Sequence, residues 1–256
     1  MPGLTRLSVM PSMRIFASLA LCIALATWMP QQLSANTLLR PDLPTEVRAE
    51  YGISRGSTRI GTVTETFRRD ADRYSITSET VAAGALGWIV RDKLIVVSEG
   101  SITGAGLRPA QYTFTREKSP KKNVRATFAW TAGASGVMTS EHDGRTARLA
   151  VEPGTLDRLS ILYQWMVAPP GRDRVEAWMT NGRSVTRYAY ERRGTETLQT
   201  PLGPYEALHI HRKDADDGSE IDLWLAQDRH FVPLRIRLTH KDGTKDEQTL
   251  LSLAVR

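Results

Sequence analysis

The side chains best suited to chemistry in this 256-residue chain are two histidines separated by one residue, His209 and His211. In an extended segment, residues two apart share a face, so the two imidazoles stand side by side as two ligands of a zinc ion do. A zinc site needs three or four converging ligands, and His240, in another strand-like run, is the candidate third. Leu208, Ile210 and Arg212 take the opposite face, which puts Leu208 and Ile210 in a core and turns the histidines to water beside Lys213. The expectation is therefore solvent-facing histidines, with no metal and no cofactor. A hydrolase acting on envelope lipid or glycan, metal-assisted through His209 and His211, is the alternative.

Other chemistry is less well supported. Asp214, Asp216, Asp217 and Glu220 resemble a calcium loop in composition, but Gly218 falls at the fifth loop position and no distal glutamate follows in register. That segment reads as a hydrated hairpin tip. Ser160 lies near Asp157, yet no histidine is placed beside it, and there is no G-x-S-x-G elbow, phosphate-binding glycine loop or dinucleotide fingerprint. No catalytic residue is assigned.

Apolar ligand binding is the sharper idea. Val81–Val90 (VAAGALGWIV) is apolar without strand alternation, and Gly84 and Gly87 weaken it as helix or strand. Its Leu86, Trp88 and Ile89 could form a lid or touch a membrane. Tyr163 and Trp165 project from a helical stretch. These five are the candidate ligand-binding residues, for an amphipathic, lipid-like ligand or a segment of an envelope protein. The competing reading is that they fill the core, as aromatic residues on a helix facing a sheet usually do.

The elements that must position these groups follow from periodicity. Leu156, Leu159, Leu162 and Met166 recur at spacings of three and four, which predicts a helix over Thr155–Pro169 with Thr155 as N-cap and Pro169-Pro170 as its stop. Nearly everything else downstream of Val47 alternates like strands. Asp143-Gly144, Asn181-Gly182, Asp217-Gly218 and Asp242-Gly243 each separate two alternating runs and supply the positive φ of tight hairpins. The fold class expected is mainly β: a large, curved antiparallel meander, a β-roll or open barrel, with one covering helix.

The N-terminus reads as a secretory signal peptide. Arg6 and Arg14 precede an uncharged apolar run, Ile15–Trp28, and small residues follow up to a plausible cleavage point after Ala35. This divides the chain into a leader over 1–35, a linker over 36–45 and a single β domain over 46–256, located in the periplasm. The one cysteine, Cys22, lies in the apolar run, so removal of the leader leaves neither thiol nor disulfide. The net charge of +6 is mild, and its clusters, such as Lys118–Lys122, sit near turns, where hydrated loop charge is the expectation. Peripheral contact with acidic headgroups fits such a balance, whereas nucleic-acid binding has no stacking motif to support it. Oligomeric state is not legible.

Five segments taken in order resemble the DUF3108 family, exported proteins of Gram-negative bacteria with no assigned biochemical function. They are Gly106-Leu107-Arg108-Pro109-Ala110-Gln111-Tyr112, Asp157-Arg158-Leu159-Ser160-Ile161-Leu162-Tyr163, Thr200-Pro201-Leu202-Gly203-Pro204-Tyr205, Ile221-Asp222-Leu223-Trp224-Leu225-Ala226 and Phe231-Val232-Pro233-Leu234-Arg235. The resemblance spans nearly the whole mature chain. It implies an envelope location, a mostly-β fold and no catalytic residues.

Overall fold

Alternating burial builds the sheet. In the computed structural model, which describes residues 42–82, 93–131, 135–213 and 218–256, strand β1 (Glu46–Arg55) buries Val47, Ala49 and Tyr51 and exposes Arg48 and Glu50. The strands that follow are β2 (Thr58–Asp70), β3 (Arg73–Ala82), β4 (Lys93–Thr103), β5 (Gly106–Arg116), β6 (Val124–Trp130), β7 (Gly136–His142) and β8 (Arg145–Val151). A two-residue strand, β9 (Leu156–Asp157), leads into the helix α1 (Ser160–Val167). The chain then continues through β10 (Arg174–Thr180), β11 (Val185–Thr200), β12 (Gly203–Lys213), β13 (Glu220–Ala226), β14 (Val232–Thr239) and β15 (Lys245–Val255). These residues all fall in one compact unit, Thr37–Arg256.

All fifteen strands form one open sheet, in the order β8-β7-β6-β5-β4-β3-β2-β1-β15-β14-β13-β12-β11-β10-β9. Every neighbouring pair is antiparallel except β9–β10. The first and last strands meet at the centre, where Thr45 and Glu46 donate backbone N–H groups to the Arg256 carbonyl. Two meander arms therefore extend from a central seam, the short link between β8 and β9 joins their far ends, and α1 follows between β9 and β10. The outer strands are poor templates for further pairing. β9 has two residues, and β8 carries Arg145 and Arg148 on a mostly exposed strand.

The arms curl towards each other around α1, which packs against β5 in one arm and β14 in the other. The β10–β11 turn reaches across to the opposite arm, where Ser140 Oγ in β7 donates to the Gly182 carbonyl at 2.5 Å. Gly182 has φ +81°, and a Cβ there would lie 2.5 Å from Val124 in β6, so glycine is required for both conformation and closeness.

The helix is shorter than its periodicity predicts, and Thr155 does not cap it. Thr155 Oγ1 donates to the Glu152 carbonyl, while Asp157 Oδ1 accepts the N–H groups of Leu159 at 2.9 Å and Ser160 at 2.8 Å. Asp157 wins because its carboxylate accepts from two orphan donors at once. Leu159, Ile161, Tyr163, Trp165 and Met166 are all buried, whereas Leu162 is only partly so. A helix wrapped on most sides needs apolar residues around most of its circumference, so the single stripe read from the sequence understates the buried surface.

Candidate ligand-binding site

Helix α1 is held at three points by side chains that sequence spacing does not connect. At its start Asp157 is fully buried, accepting Ser98 Oγ from β4 at 2.5 Å as well as the two backbone N–H groups. Ser160 Oγ accepts the Asp157 N–H at 2.9 Å, and Tyr74 of β3 shares a hydrogen bond of 3.1 Å with Ser98. Burial pushes the Asp157 carboxyl above its ordinary value, against the pull of these donors.

In mid-helix, Tyr163 stacks on Phe67, with ring centroids 5.8 Å apart, and donates its hydroxyl to Glu65 Oε2 at 2.9 Å. Glu65 also accepts from Ser78 Oγ at 3.2 Å, and burial raises its pKa. On the third side, Gln164 Oε1 accepts the Leu107 N–H at 2.8 Å, and its Nε2 donates to the Ala105 carbonyl at 3.1 Å. Gly106, at φ +113°, lies so close that a Cβ would strike the Gln164 amide. The Gly106-Leu107 segment thus contacts Gln164, the residue that follows the Asp157–Tyr163 segment, although the two lie far apart in sequence.

The candidate aromatic residues separate. Tyr163 is completely buried in the core, bound to Glu65, and does not line the groove beside the helix. Trp165 does line it. This groove follows the C-terminal end of α1 and has a volume of about 580 Å³. Its walls are Ile161, Trp165, Pro169, Pro170 and Trp178, with Arg172 and Glu176 also lining it. Trp165 is otherwise buried, edge-on to Tyr190 at 5.7 Å, and its indole N–H has no acceptor among the described residues. Leu86, Trp88 and Ile89 lie outside the described residues. Trp178 carries no signal in the sequence because it alternates like any strand residue, and only the tertiary structure brings it to the same groove as Trp165. A larger depression of about 620 Å³ over β10–β12 is lined by charges that largely pair with one another, among them Arg174 with Glu191 and Arg187 with Glu176.

His209 and His211 stand on the opposite face from the buried Leu208 and Ile210. Both donate to one oxygen of Asp222, at 2.7 Å from His209 Nε2 and 2.9 Å from His211 Nδ1. His209 also stacks on Trp224, with centroids 4.6 Å apart, and the Arg237 guanidinium lies 4.9 Å from the Trp224 ring centre. Burial would raise the Asp222 carboxyl, but the hydrogen bonds from the two histidines outweigh it and leave it below its ordinary value. His240 is not brought to this cluster; it pairs with Asp246 at 2.8 Å, beside Arg55. Among the described residues no group of three or more His, Cys, Asp or Glu is arranged to hold a metal. The sequence spacing correctly places the two imidazoles on one face and gives no hint of the carboxylate between them.

Among the described residues, no helix is long and apolar enough to cross a membrane. The fold is similar to that of a beta-barrel-like protein of the domain of unknown function DUF1849 from Brucella abortus, 12% identical with a TM-score of 0.57 over 83% of this chain and 98% of that one. A candidate lipoprotein from Parabacteroides distasonis is 8% identical over 82% of this chain and 95% of that one, with a TM-score of 0.34. No curated protein matches the chain. The model of the family described as protein of unknown function (DUF3108) matches residues 48–250, spanning both meander arms and the helix between them, and the chain belongs to that family.

Proposed function

We propose that this is a non-catalytic binding protein of the bacterial cell envelope, holding an amphipathic, lipid-like molecule beside α1. The observation that carries this reading is the groove at the end of the helix. Its volume of about 580 Å³ falls within the range of small-molecule sites, and it sets apolar walls against a polar side made of Gln164, Arg172, Arg174 and Glu176, an arrangement that suits an amphipathic ligand. The Trp165 indole N–H, buried without a protein acceptor among the described residues, is a donor that a ligand carbonyl or hydroxyl would satisfy. The charged layout of 1–35 as a leader supports the envelope address.

A scaffold role, gripping a partner's segment rather than a small amphiphile, would use the same groove. The binding reading is preferred over a hydrolase because Asp222 already occupies one ring nitrogen of each histidine. Native mass spectrometry of protein isolated from envelope extract tests the proposal. A co-purifying amphiphile that is retained by wild type and lost from Trp178→Ala is the expected result. Repeated preparations carrying no amphiphile would overturn it.

A further inference from the structure

We propose a second site, independent of the groove beside Trp165: a pocket that recognises the phosphate of an anionic headgroup. It lies where the β10–β11 turn crosses to β5 and β6 and has a volume of about 320 Å³. Arg116, Lys122, Arg158 and Arg183 line it, together with Tyr112, Phe114 and Val124. No acidic side chain is among the described residues lining it.

Four positive charges gathered from distant points of the chain are unlike hydrated loop charge scattered along a surface. Arg116 ends β5, Lys122 ends the single helical turn Pro120–Lys122, Arg158 follows β9 two residues before α1, and Arg183 sits in the β10–β11 turn. The backbone around Arg158 and the side chain of Arg183 are held in place. The neighbour of Arg158 is the buried Asp157, whose carboxylate fixes the next two backbone N–H groups. Arg183 donates from Nη2 to the Lys122 carbonyl at 3.0 Å, and Asn181 Oδ1 accepts the N–H groups of Arg183 and Ser184 to set the turn. The turn cannot slide away, because Gly182 is wedged against Val124 and Tyr112.

Like charges held together repel, and the apolar walls formed by buried Tyr112 and Val124 and by Phe114 weaken solvent screening. An oxyanion relieves that repulsion and gains charge-assisted hydrogen bonds from guanidinium groups, whose fork suits phosphate oxygens. The volume suits a headgroup, and the aromatic wall offers a surface for the carbon skeleton next to it. The ligand class is therefore a terminal phosphate, carried as a monoester on a lipid or present as the free anion.

Calorimetric titration at low salt tests this with three probes: dihexanoyl phosphatidate, dihexanoyl phosphatidylcholine and inorganic phosphate. Arg158 and Arg183 are both exposed, so the Arg158→Ala/Arg183→Ala double variant is expected to keep the wild-type thermal midpoint. A Lys121→Ala/Arg125→Ala double variant removes the same charge outside the pocket. Saturable phosphatidate binding by wild type, weakened about tenfold or more in the pocket variant and within about twofold in the control, is expected. If inorganic phosphate binds as tightly as phosphatidate, the site stands and belongs to the free anion. Three results would each overturn the site: no saturable binding of either anion, phosphatidylcholine binding as tightly as phosphatidate, or equal losses in the two variants.

Discussion

Asp157 accepts from three donors and Asp222 from two, one in the interior and the other on a partly exposed face. Asp157 is sealed beneath the curled arms and accepts from Ser98 and two backbone N–H groups. Asp222 lies on a partly exposed face and accepts from two imidazoles. Burial dominates at the first and lifts its carboxyl above the ordinary range; the histidine hydrogen bonds dominate at the second and hold it below. Glu65 joins Asp157 in the raised class, and Asp246, gripped by Arg55 and reached by His240, joins Asp222 with a value pushed down to about 2. The interior acids organise the helix as hydrogen-bond acceptors and lose by being charged. The outer acids contribute by being charged.

Removing the interior anchor should have the largest effect. Asp157→Ala leaves the Leu159 and Ser160 N–H groups and the Ser98 hydroxyl without their acceptor, and about 3 kcal/mol or more should be lost in urea unfolding. Asp157→Asn keeps an acceptor oxygen and should recover most of that loss. Equal losses for alanine and asparagine would mean that charge, rather than acceptor geometry, matters inside.

The pH dependence sharpens the contrast. Glu65 and Asp157 have folded values raised above their unfolded ones, so their contribution is full below about pH 4 and is lost as pH rises through the raised values. Asp222 runs the other way: its contribution is present above the unfolded value and is lost as pH falls through the depressed one. Glu65→Gln should therefore flatten the decline on the rising side, by about 1 kcal/mol at neutral pH, while leaving the acid limb unchanged. Urea midpoints across a pH series would show this, and an altered acid limb would break the assignment.

The smallest effect belongs to the outer pair. His209→Ala/His211→Ala should cost only about 0.5 kcal/mol at neutral pH, because partly exposed pairs contribute little. It should also remove part of the acid-side loss by returning Asp222 towards its ordinary value. A collapse in stability would show that the outer face bears on the fold as heavily as the interior does.

Local signals carried much of the architecture. Alternation, Asp-Gly and Asn-Gly turns and a single helical period were enough to read a curled antiparallel meander with one helix. The predicted N-cap differs from the structure: Thr155 and Asp157 are both good capping residues, but Thr155 turns back to the Glu152 carbonyl while Asp157, also bonded by Ser98 from another strand, accepts the N–H groups at the helix start. The two candidate ligand residues that the structure describes, Tyr163 and Trp165, also divide. Residues two apart on a helix point to nearly opposite sides, so the helical period separates Tyr163 from Trp165; that one side meets Glu65 and the other the groove was decided by how the arms pack around the helix.

The sequence by itself determined the period of each element, the tight turns and the charges available, since these depend on neighbours a few residues apart. The tertiary structure alone decided that β1 lies against β15, that Asp222 stands between two histidines and that Arg158 and Arg183 share a pocket. Each of these joins residues separated by many positions, and strand alternation states which face a side chain occupies without stating what will be packed beside it.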